Sequence, residues 1–270
     1  MNKFASLWLV FAIIGAAYSA PAAEADGDDR ILNGRKAATN QYPFIVSLQY
    51  KMPSEPGTIL RSKFCGGSIL NKRWILTAAH CIVNGNKDGG VMHVKAGVKN
   101  AFDLGGQYPR VQKIIWPTQY NKTGQEEHDI ALLQLAEELV MGPAVQPIAM
   151  APKGFKASGV GTILGWGAIN EDHSQSSNEL LYTPIPVAPS SDCDIFRAHR
   201  PAEHICLGGK GGGSACGGDS GGPFILTHNG KPLLVGATSF GTVKCTNDKP
   251  VVYTSVAAYR DWIDETMAKN

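Results

Sequence analysis

A succession of short apolar runs, each broken by glycine, proline or a polar turn, constrains this chain more than any other feature. In the first half they are "YPFIVSLQY", "CGGSILNKRWILTAA", "VMHVKAGV", "VQKIIW" and "DIALLQL". In the second they are "SGVGTILGWG", "LLYTPIPV", "GPFILT", "PLLVGATSF" and "VVYTSV". Runs of this length, rich in β-branched and aromatic residues, read as strands. Only "VAAYRDWIDETM" repeats at helical spacing, through Val256, Tyr259, Ile263 and Met267. The expectation is an all-β protein: two packed antiparallel β-barrels and a C-terminal α-helix. The barrels are expected at about 42–140 and 158–255 and the helix at about 256–267. The stretch Met141–Gly154, with its prolines and glycines, is the expected link between the halves.

The chain has 270 residues, 43% of them hydrophobic, which is ample for such a core. A net charge of +2 gives no electrostatic case for a nucleic-acid partner. The first residues stand apart. Lys3 and the apolar run Phe4–Ala17, followed by "YSAPAA", read as a secretory signal over residues 1–19, cut between 19 and 22. The apolar run is too short to be a comfortable membrane anchor. The acidic "EADGDDR" then reads as an unstructured propeptide, 20–30, ending at Arg30 before the apolar pair Ile31–Leu32. The location expected is secreted and extracellular, with no membrane partner.

Six cysteines behind such a signal suggest three disulfides, although six allow fifteen pairings. With no CxxC and no HExxH, neither a metal site nor any other cofactor is expected.

Three stretches carry the chemistry: "LTAAHC" with His80, "HDIALL" with Asp129 and "GDSGGP" with Ser220. Each alone has a bland reading, as an ordinary histidine, a strand-end carboxylate and a turn serine. Together they supply a base, an orienting acid and a nucleophile. "GDSGG" also fits the G-x-S-x-G elbow of α/β-hydrolases. That fold needs an acid and then a histidine after the serine. Here only His228 follows, with no acid between and about fifty residues left.

The order His80, Asp129, Ser220 resembles that of the chymotrypsin-like (trypsin-fold) serine endopeptidases. "ILNG", "GWG" at 165–167, "SFG" at 239–241, "VVYT" and "YRDWI" extend the likeness across 31–270, the expected protease domain. The resemblance implies that Ser220 attacks the peptide carbonyl, His80 shuttles the proton and Asp129 holds the imidazole. It also implies that the N–H groups of Gly218 and Ser220 form the oxyanion hole. Cleavage after Arg30 would free the Ile31 amine to pair with Asp219, so the chain is expected to be an inactive zymogen. The implied disulfides are Cys65–Cys81, Cys193–Cys206 and Cys216–Cys245. No cysteine precedes residue 31, so the propeptide would not stay tethered.

Six residues before the nucleophile, Ser214 marks the pocket floor in this family. A neutral hydroxyl there argues against cleavage after Lys or Arg. Gly241 leaves one wall open, while Val251 stands where chymotrypsin-type pockets usually have glycine. The implied pocket is chymotrypsin- or elastase-like, for Leu and Met, then Phe, Tyr and smaller aliphatics. The loop that binds calcium in trypsin-like relatives has Val98 and no glutamate here, so no calcium is expected. "NKT" makes Asn121 an N-glycosylation sequon. The implied partners are protein or peptide substrates, an activating trypsin-like protease and protein protease inhibitors. The competing reading is a catalytically inactive homologue acting as a binding protein.

Overall fold

The computed structural model describes residues 34–52, 60–83, 90–121, 127–209 and 213–270. The expected signal, the propeptide, Arg30 and Ile31 lie outside these.

Strand β1 (Arg35–Lys36) crosses to the second half of the chain. Strands β2 (Ile45–Met52), β3 (Leu60–Ile69), β4 (Trp74–Thr77), β5 (Val91–Ala96), β6 (Val111–Ile115) and β7 (Ala131–Leu135) form one antiparallel sheet, in the order β5-β2-β3-β4-β7-β6. A bridge between His93 and Arg110 brings its two edges together. Strands β8 (Ala149–Met150), β9 (Val160–Gly165), β10 (Leu181–Pro186), β11 (His204–Gly208), β12 (Pro223–His228), β13 (Lys231–Phe240) and β14 (Pro250–Ser255) form the second sheet with β1. Its order is β1-β10-β9-β12-β13-β14-β11, and a bridge from Val187 to Leu207 links β10 to β11. The result is two curled sheets, as the pattern of apolar runs predicts. A short helix, α1 (His80–Val83), follows β4, and α2 (Arg260–Lys269) closes the chain.

The strands are apolar on both faces for a reason visible in the packing. Ile75 and Leu133 point into the first barrel, while their neighbours Leu76 and Leu132 join the core between the sheets. In the second barrel Ile163 and Val235 face inward, and Leu164 and Leu234 face the seam. Successive strand residues point to opposite faces, so a strand that fills a barrel and also packs a seam must be apolar at both parities.

Three details differ from the sequence expectation. β1 lies ahead of the first barrel yet pairs with β10. β8 falls inside the expected link and adds a parallel pairing, to β13. The helix α2 opens at Arg260, and the residues before it form turns, with the N–H groups of Ala258 and Tyr259 on the carbonyls of Ser255 and Val256, each at 3.2 Å.

At the seam the backbones of β3 and the turn before β12 come unusually close. A Cβ on Gly66 would lie 3.1 Å from the Cα of Gly222, and the N–H of Gly66 donates to Ser220 O at 2.8 Å. Gly221, in the left-handed region at φ +73°, has no room for a side chain: its Cβ would meet Thr77 Oγ1 at 2.1 Å.

Candidate active site

His80 is the first residue of α1, carried there by β4 through the fully buried Ala78 and Ala79. Asp129, fully buried, precedes β7. Its Oδ2 accepts from His80 Nδ1 at 2.7 Å and its Oδ1 accepts the His80 main-chain N–H at 2.9 Å. Two hydroxyls of the second sheet clasp the same aspartate. Ser239 Oγ donates to Oδ2 at 2.5 Å, and Thr254 Oγ1 donates to the main-chain carbonyl at 2.7 Å. A buried carboxylate bonded by several donors is held in one orientation. The bond to Oδ2 puts the hydrogen on Nδ1 and leaves the Nε2 lone pair as the ring's acceptor.

Ser220 comes from the second half and lies against the first through the Gly66–Ser220 bond. It lines a pocket with Ser239, the residue that donates to Asp129. Its turn is built from main-chain bonds: Asp219 N–H to Cys216 O at 3.0 Å, Gly221 N–H to Thr238 O at 2.8 Å and Gly222 N–H to Asp219 O at 2.9 Å. Gly218 is at φ +94°, a region glycine enters without steric cost. Among the hydrogen bonds of the described residues, the N–H groups of Gly218 and Ser220 meet no acceptor. Both donors belong to the turn that carries the Ser220 hydroxyl.

Asp219 turns inward. Its Oδ1 accepts from Gly167 N at 2.8 Å and its Oδ2 from Cys216 N at 3.0 Å. Burial nevertheless pushes its carboxyl up to about 6, against the pull of those two bonds and of the Lys63 charge. The glycines of "GWG" make room for this carboxylate. A Cβ on Gly165 or Gly167 would fall 2.1 or 2.5 Å from its atoms. Lys63, its own pKa lowered by burial, donates to Trp166 O and, at 3.1 Å, to Ser176 Oγ.

The pocket beside Ser220 encloses about 160 Å³. Ser214, buried, donates its hydroxyl to Ala215 O at 3.2 Å, and no carboxylate is among the residues lining the cavity. Gly241 and Val251 face each other: a Cβ on Gly241 would sit 3.1 Å from Val251 Cγ1. The disulfide Cys216–Cys245 borders the same cavity. The other two bridges are Cys65–Cys81, beside His80, and Cys193–Cys206. Two histidines, His80 and His173, lie near half-cystines, but sulfurs tied in disulfides offer no thiolate to a metal ion. Val98 lines a separate cleft, and Asn121 is exposed at φ +51°.

One group of residues behind Asp129 had no counterpart in the sequence reading. His128 occupies the left-handed region at φ +58°. Glu203 Oε2 accepts its main-chain N–H at 3.3 Å and the Tyr259 hydroxyl at 2.6 Å, while the Tyr259 oxygen accepts from His128 Nδ1 at 2.9 Å. Burial and the Glu203 carboxylate together raise the Tyr259 pKa, so the phenol keeps its hydrogen. The "HDIALL" motif pointed to His128 only as a neighbour.

The family model described as trypsin matches residues 31–263. The chain belongs to the trypsin family. It is also 33% identical over 243 residues to coagulation factor XI of Bos taurus, covering 87% of this chain. The match spans 37% of the length of that curated relative. The trypsin-family assignment and the arrangement of two antiparallel sheets with a closing helix agree.

Proposed function

We propose that this chain is a secreted serine endopeptidase, made as a zymogen, that cleaves peptide bonds after medium-to-large apolar residues. The observation that carries the catalytic part is the pair of hydrogen bonds His80 donates to Asp129, across the seam from a turn in which the N–H groups of Gly218 and Ser220 are unengaged among the described residues. Ser220 Oγ attacks the carbonyl carbon while His80 Nε2 takes the hydroxyl hydrogen. The carbonyl oxygen becomes an oxyanion on the N–H groups of Gly218 and Ser220. Collapse breaks the C–N bond, and His80 returns its hydrogen to the leaving amine. Water then repeats the sequence on the acyl-serine. Asp129 stabilises the imidazolium throughout.

Burial of Asp219 supports the activation reading. A carboxyl pushed up to about 6 lacks a strong cationic partner in the described residues, and a freed Ile31 amine is a partner of the right charge. Arg30 before it would suit a trypsin-like activator. The signal-like leader supports secretion, and among the described residues no helix is long and apolar enough to cross a membrane. The absence of a carboxylate from the pocket lining and the closeness of Val251 to Gly241 support an elastase- or chymotrypsin-like preference over Lys and Arg. Protein substrates and protein protease inhibitors are the partners this activity implies.

The test is labelling with a serine-reactive phosphonate after tryptic activation. The proposal expects stoichiometric labelling of Ser220, lost in Ser220→Ala and in the uncleavable Arg30→Gln. An unreactive Ser220 in the correctly cleaved protein would instead favour an inactive binding homologue.

A further inference from the structure

The pocket mouth carries an imidazole that the chemistry above does not use. His173 sits in a loop closed by the bridge between Ala168 and Ser176, with its own backbone in the left-handed region at φ +61°. Asn170 braces that loop: its carbonyl accepts the His173 N–H at 3.2 Å, and its side chain bonds Gln175 N at 3.1 Å and Ser174 Oγ at 2.7 Å. The ring lies on the disulfide, with Nε2 at 3.1 Å from Cys245 Sγ. It also covers Gly217. A Cβ there would fall 2.5 Å from His173 Nδ1 and 3.1 Å from Cε1. Gly217 is outside the left-handed region, so its backbone does not require glycine. The imidazole does.

His173 lines the same cavity as Ser214, Ser220 and Val251. We propose that His173 is a specificity-determining residue: it forms the outer rim of the pocket in the space a side chain at 217 would take, and it restricts the pocket to aliphatic residues such as Leu and Met. This rests on Ser220 being the nucleophile of that pocket. The cavity of about 160 Å³ is already narrowed on one wall by Val251. A Phe or Tyr ring entering it meets the imidazole that lies against the disulfide. An aliphatic chain passes beneath.

The experiment uses activated protein titrated with the phosphonate, and matched Leu and Phe peptide anilides. His173→Ala is expected to raise the Phe-to-Leu ratio of kcat/KM by about tenfold, the scale of a modest change in an apolar pocket. Gly217→Ala is expected to disturb the ratio in the native background, by pushing the ring aside. In the His173→Ala background it should have little further effect, because neighbours that collide act non-additively. An unchanged or lowered ratio in a fully titratable His173→Ala protein overturns the proposal, as does simple additivity of the two substitutions. A native protein that cannot be titrated overturns the underlying reading of Ser220, and the rim with it.

Discussion

Asp129 grips His80 at two points, the imidazole Nδ1 at 2.7 Å and the main-chain N–H at 2.9 Å. An asparagine cannot reproduce this, because an amide nitrogen facing Nδ1 would demand the other tautomer. Asp129→Asn is therefore expected to lower kcat by about 10⁴-fold with little change in KM. Ser239→Ala removes only the second donor on Oδ2. A hydrogen bond to a charged group contributes about 1.5–3 kcal/mol, so a loss of at least about tenfold in kcat is expected. Steady-state kinetics on titrated enzyme check both.

The raised pKa of Asp219 makes a prediction about pH. In the uncleaved chain the folded carboxyl binds its proton more tightly than the unfolded one. Stability should therefore fall as pH rises from about 4 to about 6 and level off above, by a total on the order of 3 kcal/mol. If the Ile31 amine pairs with Asp219 after cleavage, the carboxyl pKa drops and the amine pKa rises. The advantage of the cleaved form should then grow from about pH 4, hold through neutrality, and disappear as the amine deprotonates at alkaline pH. Urea unfolding of the native and Arg30→Gln proteins across this range gives the difference directly. Parallel curves for the two forms would exclude the pairing.

Val251→Gly should deepen the pocket and raise kcat/KM for Phe over Leu by about 10–200-fold. Ser214→Asp should create measurable cleavage after Arg, since it supplies a carboxylate to a lining that has none among the described residues. A panel of peptide anilides differing only at the residue before the scissile bond reads both changes.

Tyr259→Phe keeps the ring but removes the oxygen joining His128 to Glu203. About 1–3 kcal/mol of stability should be lost, measured by thermal melting. Because His128 holds an unfavourable φ next to Asp129, kcat should fall several-fold while KM stays near the native value.

The catalytic candidates were legible because each sits in a short, chemically loaded motif, and the barrels because their strands are apolar runs of strand length. "GWG" was visible only as part of a resemblance. Its physical reason, room for the Asp219 carboxylate, needs coordinates. β1 and β8 were not anticipated, since two-residue strands have no period to read. Nor was the ring of His128, Glu203 and Tyr259, whose members are up to 131 residues apart. His173 was one histidine among seven until its ring was found over Gly217. Contacts between distant loops leave no local pattern in a chain.

The close approach of Gly66 to Gly222 has a consequence for how such a molecule can change. In the proposed reaction base and acid hang from one half, the nucleophile from the other, and the two halves meet there backbone to backbone. A single methyl group added on Gly66 would press on the backbone of Gly222, a spacer between the halves that touches neither hydroxyl nor imidazole. The proposed reaction thus depends on two positions that have no side chain at all.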